Sequence, residues 1–288
     1  MDSSILRSYS LLTKPGIIFG NLITAAAAFM FGSRGQFDFS LFSYTVLGLG
    51  LIIASACICN NVIDQEADRM MGRTKNRPLV SGAISTKSAF LAALCMFGLG
   101  ALILGWKSFL ALVVALVGFS VYVLLYSFWK YRTYFATLVG SIAGAVPPVV
   151  GYAAARGKLD FGALFLFLVL VFWQMPHFFA IALFHFDDYA KASIPTLPHE
   201  KGVLRTKQEM FFYTIGFAIA ALALAFLDGL GPLYLAIAAF CSVSWIALSL
   251  IGFWAKDDAL WAKAMFRFSL IIIMGLSFSI AIDSMIYK

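Results

Sequence analysis

The chain has 288 residues, of which 62% are hydrophobic and only 12% charged, about half the charged share of a soluble globular domain. A core of this length cannot hide that much apolar surface from water, so a soluble fold is excluded, and a disordered chain with it. The formal net charge of +7 is carried between apolar runs and not on a soluble face, so it implies membrane topology and no nucleic-acid partner.

Nine apolar segments succeed one another at 16–32, 41–59, 88–106, 108–128, 134–154, 162–184, 210–227, 232–253 and 267–286. A spanning helix needs about 20 apolar residues. In hydrocarbon each segment must satisfy its own backbone polar groups, so helices are expected throughout. No ten-residue alternating strands of the outer-membrane barrel type occur. The expected fold is all-α, a polytopic bundle of nine transmembrane helices in the lipid bilayer, forming a single domain over 1–288. Ala25-Ala26-Ala27 would suit a signal-peptide cleavage site, but the apolar run continues past it and eight further spans remain. Cys57, Cys59, Cys95 and Cys241 all lie in apolar stretches without a C-x-x-C, which implies neither disulfides nor a thiolate metal site.

With the amino terminus placed in the cytoplasm, 16 of the 21 Lys and Arg residues fall on cytoplasmic segments. The outer five are Arg34, Lys107, Arg156, Lys158 and Lys288. This bias predicts an inner (cytoplasmic) membrane protein with an outside carboxyl terminus. The span interiors hold almost no charge, and Asp228 and Asp283 lie near span ends. An ion-coupled pump would carry intramembrane carboxylates. The chemistry is therefore expected at the cytoplasmic surface.

The first polar loop runs Asn60-Asn61-Val62-Ile63-Asp64-Gln65-Glu66-Ala67-Asp68-Arg69 and on to Arg73, Lys75 and Arg77. Asn60, Asp64 and Asp68 are spaced i, i+4, i+8. If the second span continues as a helix they share one face, with neighbours about 6 Å apart. Two carboxylates so placed repel unless a cation lies between them. Mg²⁺ suits Asp64 and Asp68, because it takes one or two carboxylates and fills its other positions with water and phosphate oxygens. Arg69, Arg73, Lys75 and Arg77 would clamp a diphosphate bridged by that ion. A solvated loop that merely sets topology is the alternative for the basic residues.

The second polar loop echoes the first. Span six ends in Trp173-Gln174-Met175-Pro176-His177, then Asp187, Asp188, Tyr189 and Lys191 precede Ile194-Pro195. The two units, near 60–79 and 185–198, would face each other if the chain is an internal duplication. Pro176 should kink or locally open span six, with Trp173, Gln174 and His177 around it. A lone membrane His is more often a packing residue than a ligand. The third connection carries Lys130 and Arg132, which either complete a phosphate clamp or set topology. Gly140 and Gly144 form a small-xxx-small pair for close packing, and Pro147-Pro148 should distort span five.

These motifs resemble those of the UbiA-type intramembrane prenyltransferases. Asn60-x-x-x-Asp64-x-x-x-Asp68 at the end of the second span is similar to the aspartate motif of that superfamily. Thr13 to Leu22, Asn60 to Leu79, Gly140 to Gly151, Trp173 to His177 and Asp188 to Pro198 extend the likeness over most of the chain. Trp-Gln-Met-Pro-His is the stretch that resembles the haem-farnesylating branch. Two departures stand out. Quinone-type members carry a second D-x-x-x-D, whose positions fall here on His185 and Tyr189, while the acids are Asp187 and Asp188. The Lys-Arg pair after span four is split as Lys130-Tyr131-Arg132.

The resemblance implies Mg²⁺-dependent transfer of a farnesyl group from farnesyl diphosphate to a vinyl group of protohaem IX, with water addition, giving haem O. Haem is then a substrate and not a cofactor, and a terminal oxidase assembly is the implied consumer. Asn60, Asp64, Asp68, Arg73, Lys75 and Arg77 are the implied catalytic residues, with Asp64 and Asp68 holding the metal. Asn61, Arg69, Lys130, Arg132, Trp173, Gln174, His177, Asp187, Asp188 and Tyr189 are the implied substrate-binding residues. The alternatives are an aromatic quinone precursor as acceptor and, from another class, a lipid or metabolite transporter, which needs polar groups near the midplane.

Overall fold

The computed structural model describes residues 3–228 and 230–287. Among these, nine helices are long and apolar enough to cross a membrane: Pro15–Ser33, Phe39–Ile63, Thr86–Lys107, Phe109–Trp129, Ala136–Arg156, Phe161–Phe184, Leu197–Phe226, Pro232–Trp254 and Asp258–Ile286. They are numbered here as spans one to nine, and all nine predicted segments are present. Asp38, Ser85, Ser108 and Asp257 each accept a hydrogen bond from the backbone N–H three residues on and so start spans two, three, four and nine. Ser108 alone joins spans three and four, which forces them to be antiparallel neighbours.

The boundaries differ where helices leave the hydrocarbon. Span seven begins at Leu197 and not near 210, with a left-handed residue at Gly202 (φ 82°). Span nine begins at Asp258 and not near 267. Hydropathy reports only the lipid-crossing part, whereas these extensions are polar helices tied by ion pairs. Arg205 pairs with Glu209 one turn on, and Lys207 reaches from span seven to Asp258 at 2.6 Å. An additional helix, Ser3–Leu12, precedes span one; its Leu12 packs on Ile58 and Leu79.

The prolines act differently. Span five breaks at Ala145 into Ala136–Gly144 and Val146–Arg156, as Pro147-Pro148 implies. Span six runs unbroken through Pro176, contrary to the expected opening. Trp173, Gln174, Met175, His177 and Phe179 are all buried there, so packing holds the helix together around the missing donor. Span four is the irregular one. It is α-helical to Ser120, widens into a π-helix over Val121–Tyr126, and returns to α at Ser127, whose N–H bonds to the Tyr122 carbonyl.

Two apolar clusters form most of the interior. One joins spans one, five, six, seven, eight and nine around Tyr152, Phe217 and Trp245. The other joins spans one to five around Phe29, Leu49 and Leu104. They meet along spans one and five, where Gly151 lies so close to the Ala25 carbonyl that a Cβ would stand 2.0 Å from its oxygen. Asp283 is buried, and its carboxylate accepts from the Tyr234 N–H at 2.7 Å, capping span eight from span nine. Lys288 and the side chain of Asp228 lie outside the described residues. The four cysteines are free.

Spans two, four and six end at the same side of the bundle, and their loops touch. The Asp188 carboxylate accepts from Gly72 N–H at 3.3 Å, and Arg73 donates to the Tyr189 hydroxyl at 3.2 Å.

Candidate active site

The helix of span two does not stop at the aspartates. Asp64 N–H bonds to the Asn60 carbonyl (2.9 Å) and Asp68 N–H to the Asp64 carbonyl (2.8 Å), which carries the ladder into the short helix Gln65–Met70. Asn60, Asp64 and Asp68 therefore share one face, as their spacing predicts. All three are buried, and all line a cavity of about 540 Å³, a size typical of ligand pockets.

The two carboxylates are not left to repel each other. Lys130 Nζ lies 2.5 Å from the Asp64 carboxylate, and the Tyr131 hydroxyl donates to the same group at 2.8 Å. Arg77 donates to Asp68 at 2.6 Å and to Asn61 at 3.3 Å. Lys14, at the entry to span one, donates to Asn60 Oδ1 at 2.7 Å, while the Asn60 amide donates to Ser127. The expected need for an added cation is met by protein cations from three other segments. Burial lowers the Lys130 ammonium, against the opposing pull of Asp64. Burial and then the Asp64 charge push the Tyr131 hydroxyl upward. Burial also brings Lys14 down to about 8.

Arg73 is the fourth cation at this rim, 5.4 Å from the Tyr189 ring centroid. Below the rim the cavity is apolar and aromatic. Tyr122 and Tyr126 of span four stack at 5.4 Å, and both line it. Farther in lie Trp173, Gln174 and His177. His177 is stacked on Trp173 (4.9 Å), and its Nδ1 is 2.7 Å from Ser269 Oγ. Trp173 Nε1 donates to the Ser269 carbonyl at 2.8 Å. Gln174 donates to the Ser141 and Leu170 carbonyls. Ile17 of span one and Leu270 of span nine are exposed apolar residues of the cavity lining.

Of the sequence-predicted residues, Asn60, Asp64, Asp68, Arg73, Arg77, Lys130, Trp173, Gln174, His177 and Tyr189 line the cavity. Asn61 stands behind them, donating to the Leu12 carbonyl and holding Arg77. Asp188 braces the loop through Gly72. Arg69 pairs outward with Glu66, and Lys75, Arg132 and Asp187 are exposed on the surface, away from the cavity lining. Sequence reasoning missed Lys14, Tyr122, Tyr126 and Tyr131 as site residues, and Ser269 behind His177. Lys14 is the base that immediately precedes the first apolar run. Tyr122 and Tyr126 are an i, i+4 pair at the charged end of span four. Both signals were present in the sequence.

The donor set at the rim fits Mg²⁺: two carboxylates and an amide oxygen, all hard ligands, on one helix face. Among the described residues no group of three or more Asp, Glu, His or Cys converges. An ion bound to Asp64 and Asp68 would complete its shell from substrate and water.

A nine-span bundle with an acid-and-base rim over an apolar chamber has a counterpart among known proteins. The chain belongs to the UbiA prenyltransferase family, whose profile matches residues 21–271, and it is an integral membrane protein. It is 49% identical to the protoheme IX farnesyltransferase of Protochlamydia amoebophila (strain UWE25) over 280 residues, which covers 97% of this chain and 99% of that relative. Solved structures share the fold. A digeranylgeranylglyceryl phosphate synthase superposes with a TM-score of 0.82 at 18% identity, covering 98% of this chain and 99% of the other. A UbiA homologue from Archaeoglobus fulgidus bound to GPP and Mg²⁺ gives 0.68 at 17% identity, covering 95% and 99%.

Proposed function

We propose that this protein transfers a farnesyl group from farnesyl diphosphate to a vinyl group of protohaem IX, with addition of water, to give haem O. The observation that carries this reading is the rim of paired acids and bases set directly over an aromatic, apolar cavity. The near full-length likeness to protoheme IX farnesyltransferase supports the choice of substrates. A transporter is set aside by family membership.

In the reaction the bond between farnesyl C1 and the diphosphate oxygen breaks, and the terminal vinyl carbon bonds to C1. Hydroxide from water adds to the other vinyl carbon, and a proton is released. Asp64 and Asp68, with Asn60 beside them, would hold Mg²⁺, which supplies neutralisation of the charge growing on the leaving diphosphate. Lys14, Arg73, Arg77 and Lys130 bind the phosphate oxygens. Tyr122 and Tyr126 line the chamber, where aromatic faces stabilise an allylic cation and apolar walls keep water from it. Trp173, Gln174 and His177 offer the haem a flat, aromatic contact. The exposed apolar lining at Ile17 and Leu270 suits entry of both apolar substrates from the bilayer.

The basic bias of the loops supports a cytoplasmic amino terminus, an outside carboxyl terminus and a site on the cytoplasmic side of the inner membrane. Haem O made there supplies a terminal oxidase. The test is incubation of purified protein with farnesyl diphosphate, Mg²⁺ and protohaem, with the product identified by mass. Farnesylated, hydrated haem is expected; turnover of an aromatic quinone precursor in preference to haem overturns the assignment.

A further inference from the structure

We propose that Lys130, Arg77 and Lys14 occupy the place of the metal in the ligand-free protein, so that Mg²⁺ and diphosphate each bind well only in the presence of the other. The proposal rests on the function proposed above and adds a thermodynamic rule to it. Each residue of the Asn60–Asp64–Asp68 face already has an oxygen engaged by a protein cation: Asp64 by Lys130 at 2.5 Å, Asp68 by Arg77 at 2.6 Å and Asn60 by Lys14 at 2.7 Å. Tyr131 takes a further bond on Asp64.

A divalent ion entering alone must displace these partners and then sit among three positive charges. In so enclosed a site that repulsion is far stronger than in water. A diphosphate entering alone finds two of the same cations held by carboxylates and Lys14 held by the Asn60 amide oxygen. Arriving together, the two ligands divide the existing pairs between them. The carboxylates turn to the metal and the cations to the phosphate oxygens, and every charge keeps an opposite partner.

The structure holds places for the released cations. Lys130 Nζ already lies over the rings of Tyr126 and Tyr131, at 5.4 and 5.3 Å from their centroids. Arg77 keeps its second bond to Asn61 Oδ1. The short rim between spans four and five and the loop after span two thus carry movable counter-ions on fixed backbones. After the reaction, loss of diphosphate would let the cations return to the carboxylates and expel the metal.

The test is calorimetric titration of the full chain in detergent with Mg²⁺ alone, with inorganic pyrophosphate alone, and with each in the presence of the other. Association of the two in free solution is common to all variants, so parent and variant are compared directly. In the parent, each ligand should tighten the other by about tenfold or more, and by reciprocity the factor is the same in both directions. Lys130→Met should move the single-ligand affinities in opposite senses: Mg²⁺ alone tighter by several-fold, pyrophosphate alone weaker, with a smaller mutual factor. Arg77→Met provides the same test through Asp68 and guards against one variant failing to fold. A residue that only clamps phosphate would weaken pyrophosphate and leave Mg²⁺ unchanged. That pattern at both positions, or an undiminished mutual factor in both, overturns the proposal. Failure of the underlying function is a different result: an Asp64→Asn, Asp68→Asn double variant that keeps Mg²⁺-dependent pyrophosphate binding.

Discussion

Lys130 Nζ and the Asp64 carboxylate stand 2.5 Å apart, 66 positions distant in sequence. One enclosed ion pair thereby fastens the turn after span four to the end of span two. On the proposed function its two members would serve different ligands, Asp64 the metal and Lys130 the diphosphate.

Charge removal at the aspartates should therefore cost both activity and stability. Asp64→Asn keeps the size but leaves Lys130 without its counter-charge, and the ligand-free protein should lose about 1–3 kcal/mol. The spacing alone implies repulsion between the carboxylates; in the structure each is instead paired with a cation. Turnover of Asp64→Asn and Asp68→Asn should fall by about a hundredfold or more. Glu66 is exposed and pairs with Arg69 at the surface, so Glu66→Gln should match the parent in melting temperature and rate. Parent-like turnover in both Asp variants at saturating Mg²⁺ would sink the metal–diphosphate assignment.

His177 Nδ1 lies 2.7 Å from Ser269 Oγ, which is itself 2.6 Å from the Phe266 carbonyl. With the Ser269 hydroxyl donating to that carbonyl, Nδ1 donates and Nε2 is left as the lone-pair nitrogen of a ring that lines the cavity. Neutral imidazole of this form is a haem-iron ligand in many proteins. His177→Ala should weaken haem binding and change its absorption spectrum while farnesyl diphosphate binding stays intact. An unchanged spectrum and affinity would make His177 a packing residue.

Gly144 is required by Gln174. A Cβ at 144 would stand 2.0 Å from Gln174 Oε1, and the side chain would have to swing away from the Ser141 and Leu170 carbonyls. Gly144→Ala should raise KM for the acceptor more than it lowers melting temperature. The Gly144→Ala, Gln174→Ala double variant should be less impaired than the sum of its singles, because both remove the same contact.

Lys14 links the site to pH. Burial brings its ammonium down from 10.5 to about 8, so the fold favours the neutral form. Between about 8 and 10.5 the unfolded chain binds more protons, and ligand-free stability should rise with pH through that window. Pyrophosphate binding should move the other way and weaken as pH rises through about 8. Lys14→Arg should abolish that decline, which a binding titration from pH 6.5 to 9.5 would detect.

Membrane orientation is open to a direct measurement. Reporter fusions after Lys75 and Lys201 should read cytoplasmic, and one after Lys288 should read outside. A cytoplasmic reading at Lys288 would contradict an odd number of spans.

The bundle was legible because hydrophobicity and length specify spans independently of their neighbours, as span two shows. The polar starts of spans seven and nine were not, because helices outside lipid give no apolar signal and depend on pairs such as Lys207–Asp258. The Asn60–Asp64–Asp68 face could be read from spacing within one helix. Its partners could not, since Lys14, Arg77 and Lys130 arrive from separate segments and only packing assigns each to an oxygen. Arg69 and Arg77 look alike in sequence, yet one turns to solvent and the other into the cavity.

The π-helical stretch of span four has a further consequence. A turn widened to i, i+5 bonding accommodates one residue more than an α-helical turn over about the same rotation, so the extra residue is absorbed locally and the helix beyond it keeps its phase. Ser127, Lys130 and Tyr131 all lie beyond Val121–Tyr126, with only a short turn before span five begins at Ala136. Their bearing on Asn60 and Asp64 thus depends on this stretch taking up the surplus residue: the same extra residue accommodated as α-helix would rotate everything beyond it by about 100° and turn the rim away from the aspartates.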